Sequence, residues 1–441
     1  MFSNKMLLML LIPIVAEQFL NSLMGMADSM MVSNVGAAAL SGVSLVDSIN
    51  ILIVQAFNAM ATGGVIICAT CVGQKDYNRA NEAARQVILV STVISVTIML
   101  FGLIFRNGLL SLVFGRIDAD VMSAASVYFL LTILSYPSVA IAAAASAIFR
   151  AQSNTRLPMN VAIVSNLLNV AGNALLIFGL GMGVAGAALA TLLSRIFSAV
   201  VLMIMLRSEK NAISVRDYLK IRPDKSKINK ILSMGIPNGI ENSMFQFGKL
   251  AIQSSVSTLG TVAIAAQAMT NIFENVNGVA GVGVGIGLMT IVGQCLGAGR
   301  RDEATYYTKK MILWGFLAIL SSCLFTYAIA PPVTKAAGMI PESAAMCLYM
   351  LGWITIVKPI LWSPAFVTAY ALRAAGDVKF SMVVASLTMW LCRVTLAVFL
   401  IRVVKIGAMG VWIGMFCDWG IRGIIFTIRF RSGKWIHKVV D

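Results

Sequence analysis

The chain has 441 residues, of which 59% are hydrophobic and 12% charged, whereas soluble domains carry roughly 25% charged residues. With a mean hydropathy of +0.87, a water-soluble fold of this length would own more apolar surface than its interior can hold. That excludes a soluble enzyme, a nucleic-acid binder and a disordered chain. The net charge of +16 lies in short basic clusters between apolar runs, which is how topology-setting charge is distributed in membrane proteins.

Apolar runs long enough to span a bilayer recur at about 7–33, 41–72, 86–105, 119–149, 158–179 and 185–206, each near or above the ~20 residues a spanning helix needs. They recur again at about 231–258, 262–292, 311–334, 343–371, 380–401 and 408–428, by the same length criterion. The sequence thus predicts an all-α polytopic protein with twelve transmembrane helices. Met1 to Val15 reads as the start of the first span and not as a removed signal. Residues 207–230, centred on Arg222-Pro223-Asp224-Lys225, are the one sizeable polar connection. The expected division is an N-terminal lobe 1–206, a cytoplasmic linker 207–230, a C-terminal lobe 231–428 and a cytoplasmic tail 429–441. The cysteines are odd in number and scattered through apolar runs, so they form no disulfide framework; Cys68 and Cys71 read as packed thiols.

The two halves repeat each other. Ile12-Pro13-x-x-x-Glu17 matches Ile236-Pro237-x-x-x-Glu241, and Gly36 matches Gly260, both at an offset of 224. Val72-Gly73-Gln74 matches Val292-Gly293-Gln294, Arg150-Ala151 matches Arg373-Ala374, and Gly183 and Gly186 match Gly407 and Gly410. Six spans per half is an even number, so both halves insert in the same orientation as parallel repeats. These are expected to surround a central cavity. With both termini cytoplasmic, 24 lysines and arginines fall in cytoplasmic loops, linker and tail against 5 outside (Arg106, Arg116, Lys335, Arg402 and Lys405). Such a bias orients the chain.

Two parallel halves, each with V-G-Q after the second span and R-A-x-x-[DN] after the fourth, resemble the MATE (multidrug and toxic compound extrusion) family. Asp28 to Leu45, DSMMVSNVGAAALSGVSL, is similar to that family's first hairpin, and Val292 to Ala304, VGQCLGAGRRDEA, to its second-half loop. The loop VGQKDYNRANEAARQ departs by lacking the glycines of its second-half counterpart. The resemblance implies a secondary antiporter of the cell membrane that expels organic, often cationic, solutes in exchange for Na⁺ or H⁺. It also implies an N-lobe ion site, whose matching positions are Asp28, Tyr128, Asn169, Asn173 and Thr191. Many relatives carry aspartate where Asn173 stands, so both coupling ions stay open.

Apart from any resemblance, a carboxylate within a span costs about 2.5–3.5 kcal/mol on insertion scales and is a functional candidate by default. The chain offers Glu17, Asp28, Asp47, Glu241, Glu274 and Asp418. Glu17, Asn21 and Asp28 lie within about 40° of one another on a helix, and Asn166, Asn169 and Asn173 within about 60°. Two polar stripes on apolar helices suggest a hydrated cavity. One carboxylate, two carboxamides and a hydroxyl (Asp28, Asn169, Asn173, Thr191) suit Na⁺, while a proton needs Asp28 alone; the rival reading is polar glue between helices. Pro13 and Pro237 remove a helical hydrogen bond, as a hinge or as a fixed kink.

Lys249, Lys358 and Arg393 lie within C-half spans, and Asp47-x-x-Asn50 aligns with Asn271-x-x-Glu274 with acid and amide exchanged. Such bases either snorkel to an interface or line a cavity where they would bind or balance anions. Gly278, Gly281, Gly283, Gly285 and Gly287 lack the spacing of a nucleotide loop and read as close helix packing. The lone histidine, His437, supports no acid–base triad. The reading is an alternating-access exporter acting as a monomer on small organic solutes in the bilayer, without cofactor, nucleic-acid partner or enzymatic activity. The alternatives are a flippase for lipid-linked saccharides or an exporter of anionic solutes, and more remotely a membrane-embedded transferase.

Overall fold

The computed structural model describes residues 1–115, 118–216, 218 and 221–436. Arg116, Lys220, His437 and Lys438 of the sequence reading lie outside the described residues. Among the described residues the fold is helical, without strands. The helices are α1 (Asn4–Ser33), α2 (Ala37–Gly73), α3 (Tyr77–Ile104), the short α4 (Arg106–Phe114), α5 (Ala119–Leu134) and α6 (Tyr136–Ala151). Then come α7 (Arg156–Gly179), α8 (Gly183–Leu206), α9 (Lys225–Val256), α10 (Thr261–Gly297) and α11 (Arg301–Ala336). The chain closes with α12 (Pro341–Ala374), α13 (Val378–Arg402) and α14 (Met409–Arg431).

Ten of these helices are long and apolar enough to cross a membrane, and α5 with α6 forms an eleventh span bent by 44°. The twelfth predicted span is α9. Asn238, Glu241, Asn242, Gln246 and Lys249 on it lower its hydropathy, yet it runs for 32 residues, more than the ~20 a bilayer requires. All twelve predicted spans therefore have a helix, in the six-plus-six order of the repeat.

Local chemistry explains several boundaries. Asp76 caps α3 by accepting from the Arg79 amide at 3.0 Å, and Asp224 receives the Ser226 amide at 3.0 Å at the start of α9. Both satisfy amides that a helix start leaves unpaired. The repeated glycines Gly36 and Gly260 join α1 to α2 and α9 to α10 with φ/ψ of 142°/164° and 90°/171°. That region of backbone space is essentially closed to residues with a Cβ, so the same glycine recurs in each half for a steric reason.

The helices cluster into two compact units, Phe19–Gly239 and Met1–Gln18 with Ile240–Asp441. The chain passes from one unit to the other inside α1, soon after Pro13, and again inside α9, just after Pro237. These boundaries differ from the predicted 1–206 and 231–428, because the leading end of each half's first helix packs with the other half's helices. A Cβ at Gly283 would press on Val15, and one at Gly287 on Leu11 and Leu10; in the other unit, one at Gly63 would meet the Ile231 carbonyl. On α10, Gly281 faces Trp362 and Gly285 faces Tyr370, which is the close packing small residues permit. Both prolines lie within continuous helices.

In the Phe19–Gly239 unit, a core around Phe57, Tyr128, Phe129, Ile133 and Tyr136 joins α2, α5 and α6. The linker is tied down within the same unit: Gln86 donates to the Arg222 carbonyl at 2.8 Å and accepts from the Asp224 amide at 3.1 Å. Lys227 bridges Glu82. The described cysteines are unpaired thiols, with Cys68 and Cys71 buried.

Candidate functional site

The Phe19–Gly239 unit brings four of the five predicted ion-site residues into one hydrogen-bonded chain. Asp28 on α1 accepts from Asn173 Nδ2 at 2.6 Å. The same Nδ2 donates to Asn169 Oδ1 at 3.1 Å, and Asn169 Nδ2 donates to Thr191 Oγ1 at 3.2 Å. Asn169 and Asn173 are fully buried and Thr191 nearly so. Their alignment follows from geometry: residues four apart on α7 share a face, and that face meets the middle of α8. Directly after Asn173, Ala174–Gly179 widens into a π-helical turn in which the Leu180 amide reaches back to the Leu175 carbonyl. Such turns are frequent at functional sites.

Asn173 Oδ1 is buried and without a hydrogen-bond partner. Asp28, Asn169 Oδ1, Thr191 Oγ1 and Asn173 Oδ1 offer oxygen atoms with one negative charge among them. Hard monovalent cations prefer such oxygens, so the residues fit Na⁺; Asp28 alone suffices for H⁺.

Tyr128, the fifth predicted residue, lies one step away from where it was expected. Its hydroxyl donates to Asp47 at 3.2 Å, because α5 packs on α2, which carries Asp47. Asp47 also accepts from Asn50 Nδ2 at 3.1 Å, and Asn50 Oδ1 accepts from Tyr136 at 2.9 Å. A second acid with its own polar shell thus stands in the same unit. Arg195 of α8 is near enough for its charge to act on both Asp28 and Asp47, while its Nη1 donates to Ser135 at 2.8 Å. Sequence reading did not single out Arg195 or Tyr136. Arg195 was detectable as the one charge inside the α8 run, twelve residues before the basic end at Arg207.

The polar stripe predicted along α1 divides. Asn21 is exposed and belongs with Asp28, whereas Glu17 is buried in the unit of Ile240–Asp441. Asn166 is half-buried with its Nδ2 unpartnered, outside the Asn169–Asn173 chain.

In the Ile240–Asp441 unit, Lys358 is fully buried and donates to Glu274 Oε1 at 2.7 Å, to the Glu274 carbonyl at 2.9 Å and to Asn277 Oδ1 at 2.5 Å. Asp418, also fully buried, takes Arg422 at 2.9 Å and Arg393 at 3.2 Å. Glu241 pairs with Arg373 at 2.5 Å. Lys249 is exposed at the protein surface, its Nζ 4.8 Å from the Phe245 ring centre. The exchange of acid and amide between Asp47/Asn50 and Asn271/Glu274 therefore has a physical partner: Asp47 meets neutral hydroxyl and amide donors, and Glu274 meets a lysine. Arg422 was also missed, although Asp418 and Arg422 stand four apart on an apolar helix, a spacing that pairs charges.

Among the described residues no group of three His, Cys, Asp or Glu side chains is placed to hold a metal ion. The arrangement is one of buried polar chains and ion pairs within spans.

Comparison with known proteins agrees with the fold and the internal repeat. The MatE family profile matches residues 13–175 and 237–399, two stretches set apart by the repeat offset seen in the sequence. The chain is 25% identical over 441 residues to the probable multidrug resistance protein NorM of Thermotoga maritima, covering 99% of this chain and 94% of that one. It is 27% identical to the uncharacterized transporter YisQ of Bacillus subtilis, covering 97% and 94%. A crystal structure of MATE in complex with MaL6 superposes with a TM-score of 0.90 at 20% identity, over 97% of this chain and 95% of that one, so the fold is shared. The chain is a multi-pass membrane protein and belongs to the MatE family.

Proposed function

We propose that the protein is a secondary antiporter of the cell membrane, exporting small organic solutes in exchange for Na⁺ or H⁺ that enters at Asp28, with both termini cytoplasmic. The multidrug resistance names of its relatives support the export of organic solutes. The observation that carries the coupling role is the Asp28–Asn173–Asn169–Thr191 chain.

The chemistry is one of charge neutralisation. An ionised Asp28 in a span costs about 2.5–3.5 kcal/mol, and either a bound cation or a proton removes that cost. Asn173 donates to the ionised carboxylate; arrival of Na⁺ at Asp28 Oδ1 would trade that bond for coordination by the amide oxygens and Thr191. A proton on Asp28 instead turns the carboxyl into a donor, and Asn173 Oδ1, buried and unpartnered, is the acceptor nearest in chemistry. In both cases one arriving ion rearranges the polar link between α1 and α7. Asp47 and Arg195 set the charge background: Arg195 balances one of the two acids, leaving the unit with one acid to neutralise.

The test is export of fluorescent organic solutes, one cationic and one anionic, from proteoliposomes under separately imposed Na⁺ and pH gradients. Wild-type protein should respond to one gradient, and Asp28→Asn should lose the gradient-driven component. Export by Asp28→Asn at the wild-type rate would overturn the coupling role.

A further inference from the structure

Within the Ile240–Asp441 unit, Lys249, Lys358, Arg393 and Arg422 gather around two acids, Glu274 and Asp418. Lys358 is committed to Glu274 and Asn277, and Asp418 is shared by Arg393 and Arg422. Two positive charges are left over. Among the described residues Lys249 has no acid partner within ion-pair distance, the acids of the cluster being taken by Lys358, Arg393 and Arg422. Its Nζ lies 4.8 Å from the centre of the Phe245 ring, and Arg393 Cζ lies 5.0 Å from the same centre. One aromatic ring therefore stabilises two cations.

Arg393 itself is only 2% exposed, yet its Nη2 has no hydrogen-bond partner. Its Nε, 3.2 Å from Asp418 Oδ2, is not aligned for a hydrogen bond. Asn277 Nδ2, also fully buried, is unpartnered as well. Unused buried donors beside surplus positive charge are costly within a span.

Lys249 lies on a different side of α9 from that helix's exposed apolar residues. On α9 the exposed apolar residues Ile240, Phe247 and Leu250 fall within about 80° of arc, and Lys249 lies about 140° from the middle of that arc. It is exposed on the side of α9 that carries Phe245.

We propose that this cluster binds the anionic group of an organic solute, a carboxylate or phosphate, with Lys249 and Arg393 as its ligands. The unpaired Nη2 of Arg393 is a charged donor for one anionic group, and the half-buried Phe245 suits an apolar or aromatic body beside it. The inference rests on the exporter reading and names a solute class for it, organic anions and zwitterions.

Equilibrium binding of carboxyfluorescein to purified protein in uncharged detergent tests it, with the cationic xanthene rhodamine 6G as comparison. Carboxyfluorescein should bind, Lys249→Gln should weaken it at least tenfold, and Lys249→Arg should restore it to within threefold. A common melting temperature for the three proteins assigns the loss to the site and not to folding. Displacement by inorganic phosphate supports the assignment. Displacement only by phosphatidylglycerol would assign the site to a lipid phosphate and overturn it, as would equal affinity of wild type and Lys249→Gln. Binding needs no ion gradient, so its failure is distinct from a failure of coupling at Asp28.

Discussion

Single residues in this protein act through the partners that burial obliges them to keep. Asp418 is the sharpest case: it is fully buried and neutralises part of the charge of both Arg393 and Arg422. Removing one member of a buried ion pair strands the others at a cost of about 3–5 kcal/mol. Asp418→Asn should therefore lower the melting temperature in detergent well below that of wild type, while Asp418→Glu should recover part of the loss. Asn for Asp is nearly isosteric, so a melting temperature equal to wild type would mean that Asp418 is not the counter-charge. The same logic separates the two units. In one, Asp28 and Asp47 both feel Arg195; in the other, the cluster of Lys249, Lys358, Arg393 and Arg422 holds only Glu274 and Asp418. Identities and spacing made most of these residues visible as candidates, since an acid inside an apolar run is conspicuous. Their pairing was not visible. Nothing in the spacing says that Tyr128 reaches Asp47 and not Asp28, because that depends on which helix α5 leans against.

Whole helices follow from simpler rules. Apolar length set the spans, α9 among them, although its polar residues lower its hydropathy, and the repeat gave six to each half. The helix junctions rest on backbone sterics, most clearly at Gly36 and Gly260. Substituting either by alanine forces a Cβ into a region that costs about 1–3 kcal/mol per residue. Neither glycine has a neighbour within 4 Å of where a Cβ would stand, so the penalty is conformational and not a clash. Gly36→Ala and Gly260→Ala should each reduce thermal stability by a similar amount, and the double substitution should approach the sum because the sites lie in different units. A neutral effect at either position would reject the steric account of the repeat. The α1 helix shows where an element-level rule stops. Its stripe Glu17, Asn21, Asp28 is continuous on a helical wheel, yet the chain changes units between Gln18 and Phe19, so the stripe serves two environments.

For the molecule as a whole, charge is a topology signal. The excess of lysine and arginine on one set of loops predicts that Ser153→Cys and Ser432→Cys, in a background without the seven native cysteines, react with a membrane-impermeant maleimide only from the cytoplasmic side. Gly108→Cys and Lys405→Cys should react only from outside. Labelling of both pairs from one side would reverse the orientation argument. The sequence alone determined that the chain lives in a bilayer, that it spans it about twelve times and that its halves are parallel copies. Those properties depend on sums over many residues, apolar length, loop charge and repeat offset, and such sums survive local error. Only the tertiary structure decided which helix ends belong to which unit, that Asp28 ends a chain of two asparagines and a threonine, and that surplus cations gather in the other unit. Each of those is a matter of a few ångströms between side chains distant in sequence, and helix packing, not composition, sets such distances.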